Sequence, residues 1–466
     1  MYLNQSTYLA PTRPQNISCP ASGTYAFKSH PTDTDNSVRG VIVAPPSGNT
    51  PDIPNMTILH QGFDTLALAI EANIGPELHA YLEIEKTRAD KERRDVLINY
   101  NGIEMLLKPH GGNGYSYIAS GGPDGATWFF KKPNAKDKWG IRLSFGSFFM
   151  ALHGVHAAKA HCEHVMECLG IRYAPHQVSI SRVDFCIDIL AKNFVLIPEN
   201  FVMHSSTGRR DHITVDDMSV NGKSGRTTSV TVGQSRNRQV IIYDKTSEIA
   251  AKGKSHWWQI WHQNLYENPS NCTKYDDIKR NFKFMKSSEM LRNYMKIHKN
   301  SRIWRTEFRA GKDLLKDRWG IRTWEQLFEK FGDLCREIGN VIRYTEPQDN
   351  DPNRARWPNH LLWEIACAEI NRDLIDMRSG ADPNPLKEVH REQHISLIFR
   401  NILGSSIALA ALKDANFEGL PKSFDDLAKE MKETVGANAE KTKKQLREAG
   451  ERYSFISKSS QPTNEN

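Results

Sequence analysis

Three short runs of this chain combine ionisable side chains with strict alternation. In SISRVDFCIDI (179–189), Arg182, Asp184 and Asp188 alternate with Val183, Phe185, Ile187 and Ile189. A β-strand sends successive side chains to opposite faces, so one face reads as core and the other carries an arginine and two carboxylates. In RQVIIYDK (238–245), Gln239, Ile241, Tyr243 and Lys245 share a face opposite Val240, Ile242 and Asp244. In RIWRTEFRA (302–310), Arg305, Glu307 and Arg309 share a face opposite Trp304, Thr306 and Phe308. If the three strands lie in one sheet with their polar faces together, they assemble carboxylates, a tyrosine, a lysine and several arginines. Carboxylate oxygens bind hard divalent cations such as Mg²⁺ or Mn²⁺, and such a cation polarises a phosphodiester. A tyrosine hydroxyl, with a free pKa of about 10, becomes a nucleophile when a neighbour such as Lys245 or a cation favours its phenolate. Arginine forks match phosphate oxygens. A tyrosine attacking a DNA phosphate leaves a covalent phosphotyrosine and a free hydroxyl on the other strand end.

Each feature also has a plainer reading. Asp184 and Asp188 can pair with Arg182 and lysines on a solvated strand face. Tyr243 is one of 14 tyrosines, so packing competes with catalysis, and Tyr115, Tyr117, Tyr266 and Tyr344 are alternative nucleophiles. Glu307 between two arginines can be an ion-pair ladder of small energetic value. The histidines of HGVHAAKAHCEH (153–164) sit at one-turn spacing on a helix whose apolar stripe lies elsewhere, which favours solvent or the sheet margin over a metal site. The tryptophans of HWWQIWHQ (256–263) fit either base stacking or a hydrophobic plug, and the plug is the better fit. The basic loops GRRDH, KSGRTT and QSRNR can touch phosphate, and Arg236, Arg238 and Arg309 are the candidates for DNA contact.

The elements that must position these residues follow from the punctuation of the chain. Residues 1–55 are rich in Pro, Ser, Thr and Asn and read as an irregular arm. A strand-like run starts near Phe63, and a charged helix follows it. Short extended runs, broken by Gly, Pro and Asn, then suggest an antiparallel meander. A helix with an apolar stripe of Leu152, Val155, Ala158, Cys162, Val165 and Leu169 leads into the aspartate strand. A hairpin turning at 233–237 carries Tyr243, an insertion over 252–300 follows, and the glutamate strand comes next. Beyond residue 320 the pattern is helical to near Tyr453. The strands are too irregularly spaced for a doubly wound βαβ unit, so the expectation is α+β: an antiparallel sheet with helices packed on one face, followed by an α-helical C-terminal region. The expected units are the arm over 1–55, a catalytic domain over 56–320, a helical region over 321–453 and a disordered tail over 454–466. Ser423 ahead of Asp425 and Asp426 is an N-cap signal in that helical region, which suits a helix-turn-helix reader or an oligomerisation segment equally.

Composition sets the outer bounds. The chain has 466 residues, 39% of them hydrophobic, with a mean hydropathy of −0.58. No run approaches the ~18 uninterrupted apolar residues of a membrane helix, and no secretory signal is legible at the N-terminus. Seven scattered cysteines without metal spacing read as reduced thiols, and so as a cytoplasmic setting. A net charge of +7 is a mild bias towards polyanions.

The segments ISRVDFCIDI, TVGQSRNRQVIIYDKTSE and IWRTEFRAGKDLLK, in this order, resemble the replication initiation factor family. That family comprises rolling-circle initiators of small staphylococcal-type plasmids, relaxases of conjugative transposons and initiators of some filamentous phages. Its pattern runs as R-x-D-x-x-x-D, then G-S-R with R-x-Y-[DN]-K-x-x-E, then R-x-E. Here these fall on Arg182, Asp184 and Asp188; on Gly233, Ser235 and Arg236, displaced by Gln234; on Tyr243, Asp244, Lys245 and Glu248; and on Arg305 and Glu307. The resemblance spans about 60–320. It implies a site-specific DNA nickase that binds a double-stranded origin, cuts one strand and stays on its 5′ end while the 3′-OH primes synthesis. It further implies Tyr243 as nucleophile, Asp184 and Glu307 as ligands of Mg²⁺ or Mn²⁺ with Asp188 as a further one, and Lys245, Arg182 and Arg305 at the phosphate. The implied partners are origin DNA, a nicked single strand and a host helicase, with a homodimer as an option and no membrane. The rival readings are a non-enzymatic DNA-binding replication or repressor protein, and a metal-dependent nuclease that uses water.

Overall fold

The computed structural model describes residues 56–205, 208–211, 213–267, 301–375 and 383–456. The arm expected over 1–55, most of the insertion and most of the tail lie outside the described residues. In chain order the described elements are β1 (Met56–Ile70), α1 (Pro76–Glu92), β2 (Val96–Tyr100), β3 (Ile103–Leu107), β4 (Tyr117–Ser120), β5 (Ala126–Phe130), β6 (Ile141–Phe145), α2 (Ser147–Cys168), β7 (Val178–Lys192), β8 (Phe201–Ser205), β9 (Gly208–Asp211), β10 (Met218–Lys223), β11 (Arg226–Gly233), β12 (Arg238–Asp244), α3 (Lys245–Lys252), α4 (His256–Glu267) and β13 (Ser301–Gly311). They continue as α5 (Trp324–Val341), β14 (Ile342–Tyr344), α6 (Leu361–Ile370), α7 (Pro383–Leu412), α8 (Leu420–Ala437) and α9 (Ala439–Arg452).

Eleven strands form one sheet in the order β10-β11-β12-β13-β7-β1-β6-β5-β4-β3-β2, and β14-β8-β9 form a second. Every strand pair of the large sheet is antiparallel. The fold is therefore α+β, with a helical C-terminal region. Its centre is the long pairing of β13 with β7, from Ser301 opposite Lys192 to Gly311 opposite Arg182. β12 flanks this pair on one side and β1 on the other, so all three charged runs are neighbours in one sheet.

The apolar faces of these strands belong to one core with α5 and α6. Phe63 packs 5.1 Å from Phe331 of α5, and Phe308 packs 5.4 Å from Trp363 of α6, ring centre to ring centre. At the start of helix α5, Thr323 caps the first turn and Gln326 reaches back in a capping box. Its Leu327, Phe331, Leu334 and Ile338, at helical spacing, are fully buried. The core thus runs across residue 320. A second apolar cluster, with Leu59, Phe148, Ile249, Trp257, Trp261 and Ile303, lies on the polar side, where α4 covers part of the face.

One glycine fixes the relation of the hairpin turn to β13. A Cβ on Gly311 would stand 2.3 Å from the Ser235 carbonyl and 2.4 Å from the Arg236 carbonyl carbon. The backbone of the QSRN turn therefore docks against the end of β13, where Gly311 N–H donates to the Asn237 carbonyl at 2.6 Å.

Candidate active site

Strand register decides which charged residues meet. Arg305 on β13 faces Asp188 on β7 and Tyr243 on β12; Glu307 faces Cys186 and Ile241; Arg309 faces Asp184 and Gln239. From β1, His60 faces Asp188, and a register shift between Phe63 and Thr65 leaves Asp64 as an extra residue beside Asp184. Such a bulge re-aims a side chain, here a carboxylate towards β7 and β13.

The outcome is a group of three acids. One oxygen each from Asp64, Asp184 and Glu307 lies within 4.8 Å of the others, the only group of this kind among the described residues. Asp184 is fully buried and Glu307 nearly so. Asp184 accepts from Arg182 Nε at 3.0 Å and from Arg309 Nε at 3.2 Å, and Glu307 accepts from Arg309 Nη2 at 2.8 Å. Asp64 accepts from Arg305 Nη1. Burial pushes the Glu307 carboxyl up to about 8, the negative charges of Asp64 and Asp184 add to the rise, and Arg309 opposes it. Burial would raise Asp64 too, but Arg305 and Lys245 hold it below the usual carboxylate range.

Beneath this group lies a closed ion pair. Arg305 donates to Asp188 through Nε at 2.6 Å and Nη2 at 2.7 Å, and Trp261 Nε1 donates to the same carboxylate at 2.7 Å. The indole of Trp257 caps the guanidinium at 4.2 Å from the ring centre. Arg305 and Asp188 have no exposed surface. The structure thus places Arg305 on Asp188 and Asp64, without exposed surface, and leaves Asp188, which accepts from Arg305 and Trp261, outside the three-acid group. The tryptophan run of α4 acts as the plug over this pair, with Trp257 and Trp261 fully buried.

Tyr243 is half-buried on the same face. Diagonal neighbours across an antiparallel pair are about 7–8 Å apart, which sets the spacing between Tyr243 and Glu307. Lys245 Nζ donates to the Tyr243 hydroxyl at 3.3 Å and pairs with Glu248 at 2.9 Å. Burial raises the phenol well above its ordinary value, and Arg305 opposes this. Burial and then the charge of Arg305 lower the Lys245 ammonium.

The candidates for DNA contact separate. Arg236 is exposed on the turn, 3.1 Å from Asp313. Arg309 bridges Asp184, Glu307 and Gln239 at the edge of the acid group. Arg238 is buried against Glu337 at 2.9 Å, on the far side of β12 from Gln239, so its donors are turned away from the polar face. The histidine helix holds no metal group among the described residues: His153 meets Asp124 at 2.5 Å, and His161 packs between Phe145 and Phe149.

Sequence reading missed Asp64 and His60. The bulges of β1 at 58–60 and 63–65 break the alternation that betrays the other three strands. His60 is buried, neither ring nitrogen has a hydrogen-bond partner, and burial pushes it down to about 4, so it is a neutral imidazole. Its ring lies 5.1 Å from that of Trp257. Asp64 also lines a cavity of about 620 Å³ with Thr65, Ser147, Phe148, Lys254 and His256.

No protein-family model and no curated protein matches the chain. Among solved structures, the chain is similar to a rolling circle replication initiator protein from Geobacillus stearothermophilus, with 14% sequence identity and a TM-score of 0.34 over 68% of this chain and 99% of that one.

Proposed function

We propose that this chain nicks one strand of DNA and holds the new 5′ end on Tyr243, as a protein that starts rolling-circle replication or mobilisation of a plasmid, phage or integrated element. The observation that carries this reading is the convergence of Asp64, Asp184 and Glu307 within 4.8 Å, on the face that bears Tyr243 and Lys245. The donor set fits Mg²⁺ or Mn²⁺: three carboxylates and no sulfur or imidazole, with Glu307 carrying a proton that a cation replaces. Asp64, Asp184 and Glu307 would hold the ion, which supplies positive charge to phosphate oxygens when bound.

The side chains do the rest. Arg309 and Arg182, at the rim of the acid group, orient the phosphate. The Tyr243 oxygen forms the new bond to phosphorus as the bond to the 3′ oxygen breaks. The phenolic proton passes to solvent water, and Lys245 Nζ, which donates to the Tyr243 oxygen at 3.3 Å, favours the phenolate. The departing 3′ oxygen takes a proton from water and becomes the primer hydroxyl. Arg236 on the exposed turn contacts the backbone of the origin duplex. A host helicase then opens the duplex ahead of the primer.

A second reading has its own support. Burial holds the Tyr243 phenol protonated, which favours water as nucleophile and a plain hydrolytic nick. One experiment separates the two. Supercoiled DNA of the replicon encoding the chain is incubated with it and Mg²⁺ or Mn²⁺, then run on a denaturing gel without protease. Protein linked to the 5′ end and lost in Tyr243→Phe supports the tyrosine. Nicking that survives the substitution supports water. Binding without cleavage in either metal leaves a repressor or origin binder.

A further inference from the structure

The cavity beside Asp64 takes no part in the steps from Tyr243 to the primer hydroxyl. Its volume is about 620 Å³, inside the range of about 300–1,000 Å³ usual for small-molecule sites. Asp64 lines it and also belongs to the three-acid group, so the cavity adjoins the place of the scissile phosphate. Three kinds of side chain complete the lining. Phe148 and His256, both buried, meet edge to face at 4.8 Å between ring centres and form an aromatic corner. Thr65 and Ser147 bring hydroxyl groups, which both donate and accept. Lys254 brings a positive charge.

Lys254 is poorly neutralised. It lies 3.2 Å from Glu248, but the same carboxylate also serves Lys245 at 2.9 Å and Lys252 at 3.2 Å. Three ammonium groups around one carboxylate leave a surplus of positive charge that an anion would offset. The cavity is also braced from outside. On one wall Phe455 packs against Gly122, where an added Cβ would stand 2.5 Å from the ring. Beside the lining residue Pro123, Asp124 holds His153 at 2.5 Å and Lys387 at 3.0 Å. On the other wall Ser255, between Lys254 and His256, donates its N–H to Gln393 at 3.3 Å. A site held open in this way loses little order when a ligand enters.

We propose, on the basis of the nicking reading, that this cavity takes one unstacked nucleotide of a single DNA strand, next to the phosphate held at the acid group. An aromatic corner, hydroxyls and a cation match the three parts of a nucleotide. The base lies against Phe148 and His256, its edge faces Thr65 and Ser147, and its phosphate reaches Lys254. A paired and stacked base cannot enter such a space, so the occupant comes from the opened strand. A base outside the stack is read on its edge, which makes the cavity a determinant of where the strand is cut.

Fluorescence anisotropy of the full chain with a short labelled single-stranded oligonucleotide tests this, in EDTA so that no cutting intervenes. Lys254→Gln should weaken binding about tenfold or more. It should also lower the slope of log affinity against log salt by about 0.7, the share of one phosphate contact on a single strand. Ser147→Trp, which fills the cavity, should weaken binding at least as much. The Lys254 side chain is 35% exposed, so its variant keeps the fold even where Ser147→Trp does not. Oligonucleotide binding and salt slope unchanged in folded variants overturn the proposal. So does a free deoxynucleoside triphosphate that binds the parent and is lost in the variants while oligonucleotide binding persists. The nicking reading is scored apart, on the supercoiled substrate: a parent that cuts while the variants bind as the parent does removes the cavity site alone, and a parent that binds through the cavity but never cuts removes the nicking alone.

Discussion

Glu307 keeps its proton at neutral pH because it is buried beside Asp64 and Asp184, with Arg309 its main compensating charge. Cation binding would therefore compete with protonation for the same oxygens. Below about 8 a cation must expel that proton, so the apparent affinity for Mn²⁺ should fall about tenfold per pH unit as the pH drops and level off above that value. Calorimetric titration between about pH 6 and about pH 9 reads the slope, and Glu307→Gln should weaken binding and flatten it. In the cation-free chain the sign for stability is the opposite: the contribution of Glu307 is complete below its ordinary value of 4.5 and is lost as the pH rises through about 8. Tyr243→Phe belongs to this scale too. It should lower formation of the covalent 5′ adduct by on the order of 10⁴-fold or more while leaving Mn²⁺ affinity within about twofold, as measured on labelled strands.

At the scale of elements, β13 carries its residues to two different depths. Arg305 is sealed under α4, whereas Glu307 and Arg309 reach the acid group. Arg305→Met would strand the Asp188 and Asp64 carboxylates without their partner and should cost about 3–5 kcal/mol in urea unfolding. A residue that served only a phosphate would instead lower activity at constant stability. Trp261→Phe removes the indole donor to Asp188 and should cost about 1–3 kcal/mol in the same measurement. The bulge in β1 gives Asp64 its place, and Asp64→Asn should weaken Mn²⁺ binding and, by removing a counter-ion of the buried Arg305, also lower the unfolding midpoint.

At the scale of the molecule, a cation held by Asp64, Asp184 and Glu307 would bind only while β1, β7 and β13 are folded together. Mn²⁺ should therefore raise the thermal midpoint, by an amount equivalent to about 2.7 kcal/mol at a hundredfold excess over its dissociation constant. Calorimetric scans with and without the ion check this, and Glu307→Gln should remove most of the gain. Helices α5 and α6 share the apolar core of the sheet, so truncation after residue 320 should expose Phe63, Phe185 and Phe308 and yield insoluble protein. The arm formed by α7, α8 and α9 contributes little to that core, and most of its large apolar residues are exposed.

Alternation alone determined much of this protein. The runs around Asp184, Tyr243 and Glu307 each separate an apolar from an ionisable face with period two, and that pattern yields three strands, an antiparallel sheet and a polar face holding a tyrosine and carboxylates. Tertiary structure decided what period two cannot encode: which strands are neighbours, in what register, and what covers them. Only pairing across long sequence gaps sets Arg305 against Asp188 rather than against solvent, and only a bulge brings Asp64 to Asp184. Burial, too, is a property of the assembled sheet. The same arginine that reads as a phosphate contact on a bare strand becomes a buried counter-ion once α4 closes over it.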